Sequence, residues 1–226
     1  MDSETPLQLA IFDCDGTLVD SQHSIISAMD QTCKTYKIDK ISRDSIKRIV
    51  GLPLEIAMVQ LFNNHTSIDH NEMAETFRQH FRHMRLQDDV EEPLFPGTVE
   101  ALDRIEQGGW LLGVATGKAM HGLIPTLETH GLEKRFVTLQ TADRAMGKPH
   151  PEMVHKALAE TGVDAHNAVV IGDTTFDIHM ACNAKVKSIG VAWGYHDAKE
   201  LMNAGAARIV QDYSELPQAI KQVMEA

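Results

Sequence analysis

Apolar residues follow two alternating rhythms along the chain. Short, largely apolar runs occur at Leu7 to Phe12, Trp110 to Ala115, Phe136 to Leu139, Ala168 to Ile171 and Val186 to Val191. Each is short enough for a strand buried on both faces, as in a parallel sheet. Amphipathic stretches with helix signals lie between them. Thr98 to Gln107 begins after Pro96-Gly97 and ends at Gly108-Gly109. Ala119 to Thr129 is closed by Gly131, and Pro151 to Thr161 opens on proline and closes at Gly162. The alternation predicts an α/β sheet with right-handed crossovers.

One segment breaks the rhythm. From Ser21 to Arg85 no strand pattern occurs. Helical periodicity instead covers Ser24 to Tyr36, Ser42 to Val50, Leu54 to Phe62 and Asn71 to Leu86, with Gly51, Pro53 and Asn63-Asn64 as breaks. The pattern predicts a helical module inserted after the first strand. The chain returns to the sheet near Phe95-Pro96-Gly97.

Composition narrows the class. The chain has 226 residues, 43% apolar and 23% charged, which suits one globular core with a small second module. No apolar run approaches the roughly 20 residues of a membrane helix. Met1 to Gln8 carries two acids and no base, unlike a targeting peptide, so a cytoplasmic protein is expected. The net charge of −11 argues against a nucleic-acid partner. It would repel a small phosphorylated ligand as well, unless a metal ion or placed cations supply a local positive centre. Cys14, Cys33 and Cys182 are too few and too scattered for a disulfide framework or a zinc cluster. His65, His70, His80 and His83 fall in one stretch and read as a solvated helix face.

The candidate chemistry sits where predicted strands end. Asp13-Cys14-Asp15-Gly16-Thr17 follows the first run directly. Ligands bind at the carboxyl ends of strands in open parallel sheets. Of two carboxylates one residue apart, one can be nucleophile and metal ligand while the other moves a proton. Gly172-Asp173-Thr174-Thr175-Phe176-Asp177 ends another run. Two acidic clusters at two strand ends can converge on one hard cation such as magnesium. For Asp177, helix capping is the competing reading. Thr116-Gly117 ends a third run and offers a hydroxyl and free amides. Lys148, held in Gly147-Lys148-Pro149-His150-Pro151, can place an ammonium near a phosphate or near Asp13.

These features together resemble the haloacid dehalogenase superfamily, all four of whose motifs are matched, and within it the phosphoglycolate phosphatase-like branch. The most specific part is Asp13-Cys14-Asp15-Gly16-Thr17-Leu18-Val19-Asp20-Ser21. The resemblance implies a Rossmann-like parallel sheet core, residues 1–16 and 95–226, with an inserted all-helical cap, residues 17–94. It implies a Mg²⁺-dependent phosphatase acting on a small phosphorylated metabolite, phosphoglycolate-like or a sugar phosphate, as a monomer or homodimer. Asp13 would attack phosphorus and form an aspartyl phosphate. Asp15 would protonate the leaving alcohol and later activate water. Thr116 and Gly117 would hold phosphate oxygens, and Lys148 would offset the anions around Asp13. Asp13, the Asp15 carbonyl and Asp173 would bind magnesium, with Asp177 as a ligand or just behind one. Cys14 would contribute backbone alone.

Hinges are expected near Thr17 to Ser21 and Glu91 to Pro96. Gln22, His23, Arg48, Gly51-Leu52-Pro53 and Lys118 are candidate substrate contacts. Trp193-Gly194-Tyr195-His196 reads as structural, at the rim of the site. The rival readings are a sugar phosphomutase, a phosphonate hydrolase using a cap lysine, an inorganic pyrophosphatase, a dehalogenase and a non-catalytic binding module. Asp15 and Asp173 count against the dehalogenase. The full set of acids with Lys148 counts against the binding module.

Overall fold

The computed structural model describes residues 6–225. These form one sheet of six parallel strands: β1 (Gln8–Phe12), β2 (Trp110–Thr116), β3 (Phe136–Thr141), β4 (Ala168–Gly172), β5 (Lys187–Val191) and β6 (Arg208–Val210), in the order β3-β2-β1-β4-β5-β6. The order reverses direction between β1 and β4, which makes their carboxyl ends the switch point where such sheets bind ligands.

The strand pattern explains the layers. Ala10, Phe12, Leu112, Val114, Val169 and Ile171 share one apolar cluster, packed under α5 (Thr98–Gln107) and α10 (Leu216–Glu225). The alternate residues Leu9, Ile11, Ala168 and Val170 join a second cluster on the other face, with Met153 and Ala157 of α7 (Glu152–Thr161) and Met180 and Ala181 of α8 (Thr175–Asn183). A side-chain period of two thus feeds both cores, and the central stretches Leu9 to Phe12 and Ala168 to Ile171 read as unbroken apolar runs. The edge strand β6, three residues long, was not expected. Neither were α9 (Ala198–Ala204) and α10.

Between β1 and α5 lie four helices: α1 (Gln22–Thr35), α2 (Arg43–Lys47), α3 (Leu54–Leu61) and α4 (His70–Leu86). The expected helix over Ser42 to Val50 is shorter, because only Arg43–Lys47 keeps helical form before the turn at Gly51 (φ +99°). Ala28, Met29, Cys33, Met58, Phe62, Met73 and Phe77 give these helices a cluster of their own. The two stretches joining them to the sheet run side by side. The Asp20 amide donates to the Pro93 carbonyl at 2.8 Å, and the Phe95 amide to the Leu18 carbonyl at 3.1 Å. The remaining helix, α6 (Met120–Thr129), follows β2. No helix of the described residues is long and apolar enough to cross a membrane.

Candidate active site

Asp13 begins where β1 ends and is 1% exposed. Asp173 and Asp177, both fully buried, come from the end of β4 and the first turn of α8. The three carboxylates bring one oxygen each within 4.8 Å of one another. One ammonium reaches them. Lys148 Nζ lies 2.8 Å from Asp13 Oδ1 and 2.6 Å from Asp177 Oδ1, with its side chain fully buried.

The remaining polar contacts fix each carboxylate. The Cys14 amide donates to Asp13 Oδ1 at 2.6 Å, while Asp13 Oδ2 is buried without a hydrogen-bond partner. Asp173 accepts from the Thr17 hydroxyl at 2.8 Å and from the Tyr195 amide at 2.8 Å. Asp177 Oδ2 accepts from the amide and hydroxyl of Thr174, closing a capping box at the start of α8. Two glycines make the approach possible. A Cβ on Gly16, whose φ is +83°, would sit 2.3 Å from Asp173 Oδ2. A Cβ on Gly117 would sit 2.9 Å from the Gly51 carbonyl oxygen, where the loop before α3 meets the end of β2.

Three buried carboxylates and one ammonium leave a formal charge of −2. Burial pushes the Asp13 carboxyl up, Lys148 pulls it back and Asp177 pushes it up again, to about 7 in all. Asp173 is pushed well above the carboxylate range by burial and by Asp13 and Asp177. Lys148 resists its own burial because Asp13 and Asp177 hold its proton. A hard divalent cation meets the need of this donor set: oxygen ligands, excess negative charge and one unpartnered oxygen.

Asp15 faces a different environment. Its Oδ1 accepts from the Ser21 hydroxyl at 2.5 Å and from Lys118 Nζ at 2.7 Å. Lys118 also donates to Glu92 Oε1 at 2.9 Å. Glu92 is 8% exposed, and its other oxygen accepts from Arg85 at 2.8 Å and Thr126 at 2.7 Å. Burial works against the charge on Lys118, and Asp15 and Glu92 more than restore it. Thr116 is fully buried, and its Oγ1 accepts from the Lys118 amide at 3.2 Å.

Asp13, Asp15, Thr116, Gly117 and Lys118 line the floor of a cavity of about 460 Å³. Its walls include Ile25, Met29, Leu54, Phe77, Phe81 and Arg85. Among the other expected contacts, Gly51 and Leu52 line it as well. Arg48 instead pairs with Glu200 at 2.5 Å, with half its side chain exposed. Gln22 and His23 stand at the start of α1, where the Gln22 amide donates to Asp20 at 3.2 Å and His23 is exposed. The segment Trp193 to His196 braces the site: the Trp193 indole donates to the Thr17 carbonyl at 3.1 Å, beside the Tyr195 contact to Asp173. Cys14 is fully buried, and burial and Asp15 push its thiol well up, away from the reactive thiolate. Glu92 and Arg85 were missed by sequence reasoning. The only signal available was an acid beside Pro93 in a polar stretch, which is also how an exposed loop reads.

Comparison with known proteins finds relatives over most of the chain. Residues 10–191 match the family described as haloacid dehalogenase-like hydrolase. A Dickeya dadantii protein named probable phosphatase IndB is 36% identical over 92% of this chain and 91% of its own length. A phosphoglycolate phosphatase of Agrobacterium fabrum is 29% identical over 94% of this chain and 91% of its own. The crystal structure of a predicted phosphatase from Clostridium acetobutylicum superposes with a TM-score of 0.83 at 25% identity, covering 96% of this chain and all of that one. The strand order, the carboxylates gathered at its switch point and the match over residues 10–191 have one reading: the chain is an enzyme of the haloacid dehalogenase-like hydrolase family.

Proposed function

We propose that the protein is a magnesium-dependent phosphatase that hydrolyses a phosphate monoester through an aspartyl phosphate on Asp13. The observation that carries this reading is the buried Asp13 carboxylate, which keeps one oxygen unpartnered at the floor of the cavity while Lys148 holds the other. The relatives named as phosphatases support it.

Asp13 and Asp173 would hold magnesium, with the Asp15 carbonyl as a further donor. Both oxygens of Asp177 already serve Lys148 and the helix cap, so Asp177 anchors the lysine. Bound magnesium supplies positive charge against the phosphoryl oxygens and keeps Asp13 ionised.

In the first step an Asp13 oxygen attacks phosphorus and the bond to the ester oxygen breaks. Its electron pair leaves on the alcohol oxygen, which takes a proton from Asp15. Lys118 and Ser21 both meet Asp15 Oδ1, which leaves Oδ2 to carry that proton. In the second step Asp15 takes a proton from water as the water oxygen attacks phosphorus. The acyl phosphate bond breaks, Asp13 returns to a carboxylate and inorganic phosphate departs. The Thr116 hydroxyl and the Gly117 amide hold phosphoryl oxygens, and Lys148 offsets the charge that develops there. Residues 17–94 act as a cap that closes over the floor and excludes bulk water.

The test is phosphate release from a panel of esters with Mg²⁺ or with EDTA. Release is expected only with the metal. Asp13→Asn is expected to lower it by a factor on the order of 10⁶, as loss of a nucleophile does elsewhere. Release that survives Asp13→Asn undiminished would remove the covalent mechanism.

A further inference from the structure

The cavity above Asp13 is far larger than a phosphoryl group needs. Its volume of about 460 Å³ lies within the roughly 300–1,000 Å³ of pockets that take drug-sized ligands. The inserted helices contribute mainly apolar wall: Ile25, Met29, Leu54, Ala57, Phe77 and Phe81. Met29 and Phe77 are buried members of the helices' own core, so the wall continues that core.

The half-buried cations near this wall, Arg78, Arg85 and Lys118, already have partners. Arg78 pairs with Glu55 and approaches Glu75 at 3.5 Å. Arg85 pairs with Glu92 at 2.8 Å, and Lys118 with Asp15 and Glu92. Arg82 also lines the cavity, but as an exposed residue. A leaving group with a carboxylate or a second phosphate would enter a mainly apolar chamber whose half-buried cations are already neutralised, with Arg82 out at the solvent side, which is costly. An apolar group gains with every methylene it buries. The Phe81 ring stands at the junction of floor and chamber, 5.6 Å from Lys118 Nζ and 5.8 Å from the Arg85 guanidinium. Those two cations lock a flat surface beside the place where the ester oxygen leaves.

We infer that the leaving group carries a bulky apolar, ring-bearing portion that fills this chamber. The substrate class is then the phosphate monoester of an aryl-alkyl or similar ring-bearing alcohol, in preference to phosphoglycolate or pyrophosphate. This assignment rests on the phosphatase reading above, because it takes the floor of the cavity as the phosphoryl site.

Two measurements separate the chamber from the chemistry. The first is calorimetric binding of 4-phenylbutylphosphonate and butylphosphonate to the unaltered protein with Mg²⁺. These probes are inert to hydrolysis and differ only in the ring. The phenyl compound should bind at least about 10-fold tighter, and Phe77→Leu should narrow that ratio. The second is phosphate release, where 3-phenylpropyl phosphate should exceed both propyl phosphate and phosphoglycolate in kcat/KM by a similar factor. Propyl phosphate is the proper control because the two alcohols are equally poor leaving groups. Equal binding of the two phosphonates overturns the chamber assignment whatever the rates are, and so does a preference for phosphoglycolate. A clear binding ratio with no phosphate released from any ester would instead sink the phosphatase reading and leave the apolar chamber standing.

Discussion

Glu92→Gln tests whether the buried ion cluster behind Asp15 stabilises the fold. Glu92 is 8% exposed and meets Lys118, Arg85 and Thr126 at 2.9, 2.8 and 2.7 Å. Burial works against its charge, yet Lys118, Thr126 and Arg85 together hold the carboxyl at about 2, below the usual 4.5. At about 1.4 kcal/mol per pK unit, the cluster contributes about 3 kcal/mol to stability at neutral pH. The sign follows from the depressed value. The contribution is complete above the unfolded pKa of Glu92 and is lost as pH falls from about 4.5 towards 2. Glutamine keeps the shape but leaves two cations without their shared anion, a change that costs about 3–5 kcal/mol in buried pairs. Urea melts at pH 7 should therefore separate the variant from the parent by about 3 kcal/mol. At pH 3 the gap should shrink to less than half, because the parent has by then lost most of its advantage. A gap below about 1 kcal/mol at pH 7, or one that stays constant with pH, would refute the reasoning.

Lys148→Met removes the ammonium that pairs with two of the three buried carboxylates, Asp13 and Asp177, and should lower kcat by about 100- to 1,000-fold, read by steady-state phosphate release. Magnesium should act on stability in a pH-dependent way. The metal-free fold holds a proton on Asp13 up to about pH 7, whereas the unfolded chain releases it near pH 4. The metal-free stability term is therefore present at low pH and is lost as pH rises through about 7. Binding of Mg²⁺ must expel that proton. Thermal melts should show a larger Mg²⁺-induced rise at pH 8 than at pH 5.5, and an equal rise at both would contradict the raised Asp13. Tyr213→Phe deletes the hydroxyl that donates to the Thr17 carbonyl at 2.7 Å inside the core. It should cost about 1–3 kcal/mol in denaturant melts, while Trp193 still holds that carbonyl.

The strands were legible because both faces of the sheet are covered. Leu9 and Ile11 serve one core and Ala10 and Phe12 the other, so Leu9 to Phe12 has no polar interruption to obscure it. The three-residue β6 has room for neither a run nor an alternation. Asp13, Asp15, Asp173 and Lys148 were legible for a related reason. The three acids stand at strand ends and Lys148 in the loop between β3 and α7, the side of such a sheet where ligands bind. Arg48 shows the limit of that argument. An arginine near a cap loop is as well placed for the core as for a ligand, and the structure gives it Glu200, 152 residues away. Glu92 shows the converse. Its surroundings in sequence are polar, and the partners of its carboxylate come from α4 (Arg85), α6 (Thr126) and just beyond β2 (Lys118), which no local pattern records.

Asp13 and Asp15 are separated by one residue and yet have opposite company. Asp13 shares its pocket with two other carboxylates and one ammonium; burial above all raises its proton affinity, with Lys148 opposing the rise and Asp177 adding to it. Asp15 meets an ammonium and a hydroxyl on a single oxygen, and the cation beside it is balanced by Glu92. Two like groups with different neighbours can take different parts in one reaction. On the proposed mechanism, bound metal would favour the ionised Asp13 that attacks phosphorus, which would tie the reactive state to metal at the floor. Asp15 needs no metal to keep its place, because Lys118 and Glu92 hold it from behind. If that division is right, Glu92→Gln should disturb proton transfer at Asp15 and shift the pH profile of kcat. The Mg²⁺ concentration for half-maximal activity should meanwhile stay at the parent value, since no residue of the metal pocket is altered. A variant that lost metal affinity while keeping the pH profile would show that the two carboxylates do not act through separate networks.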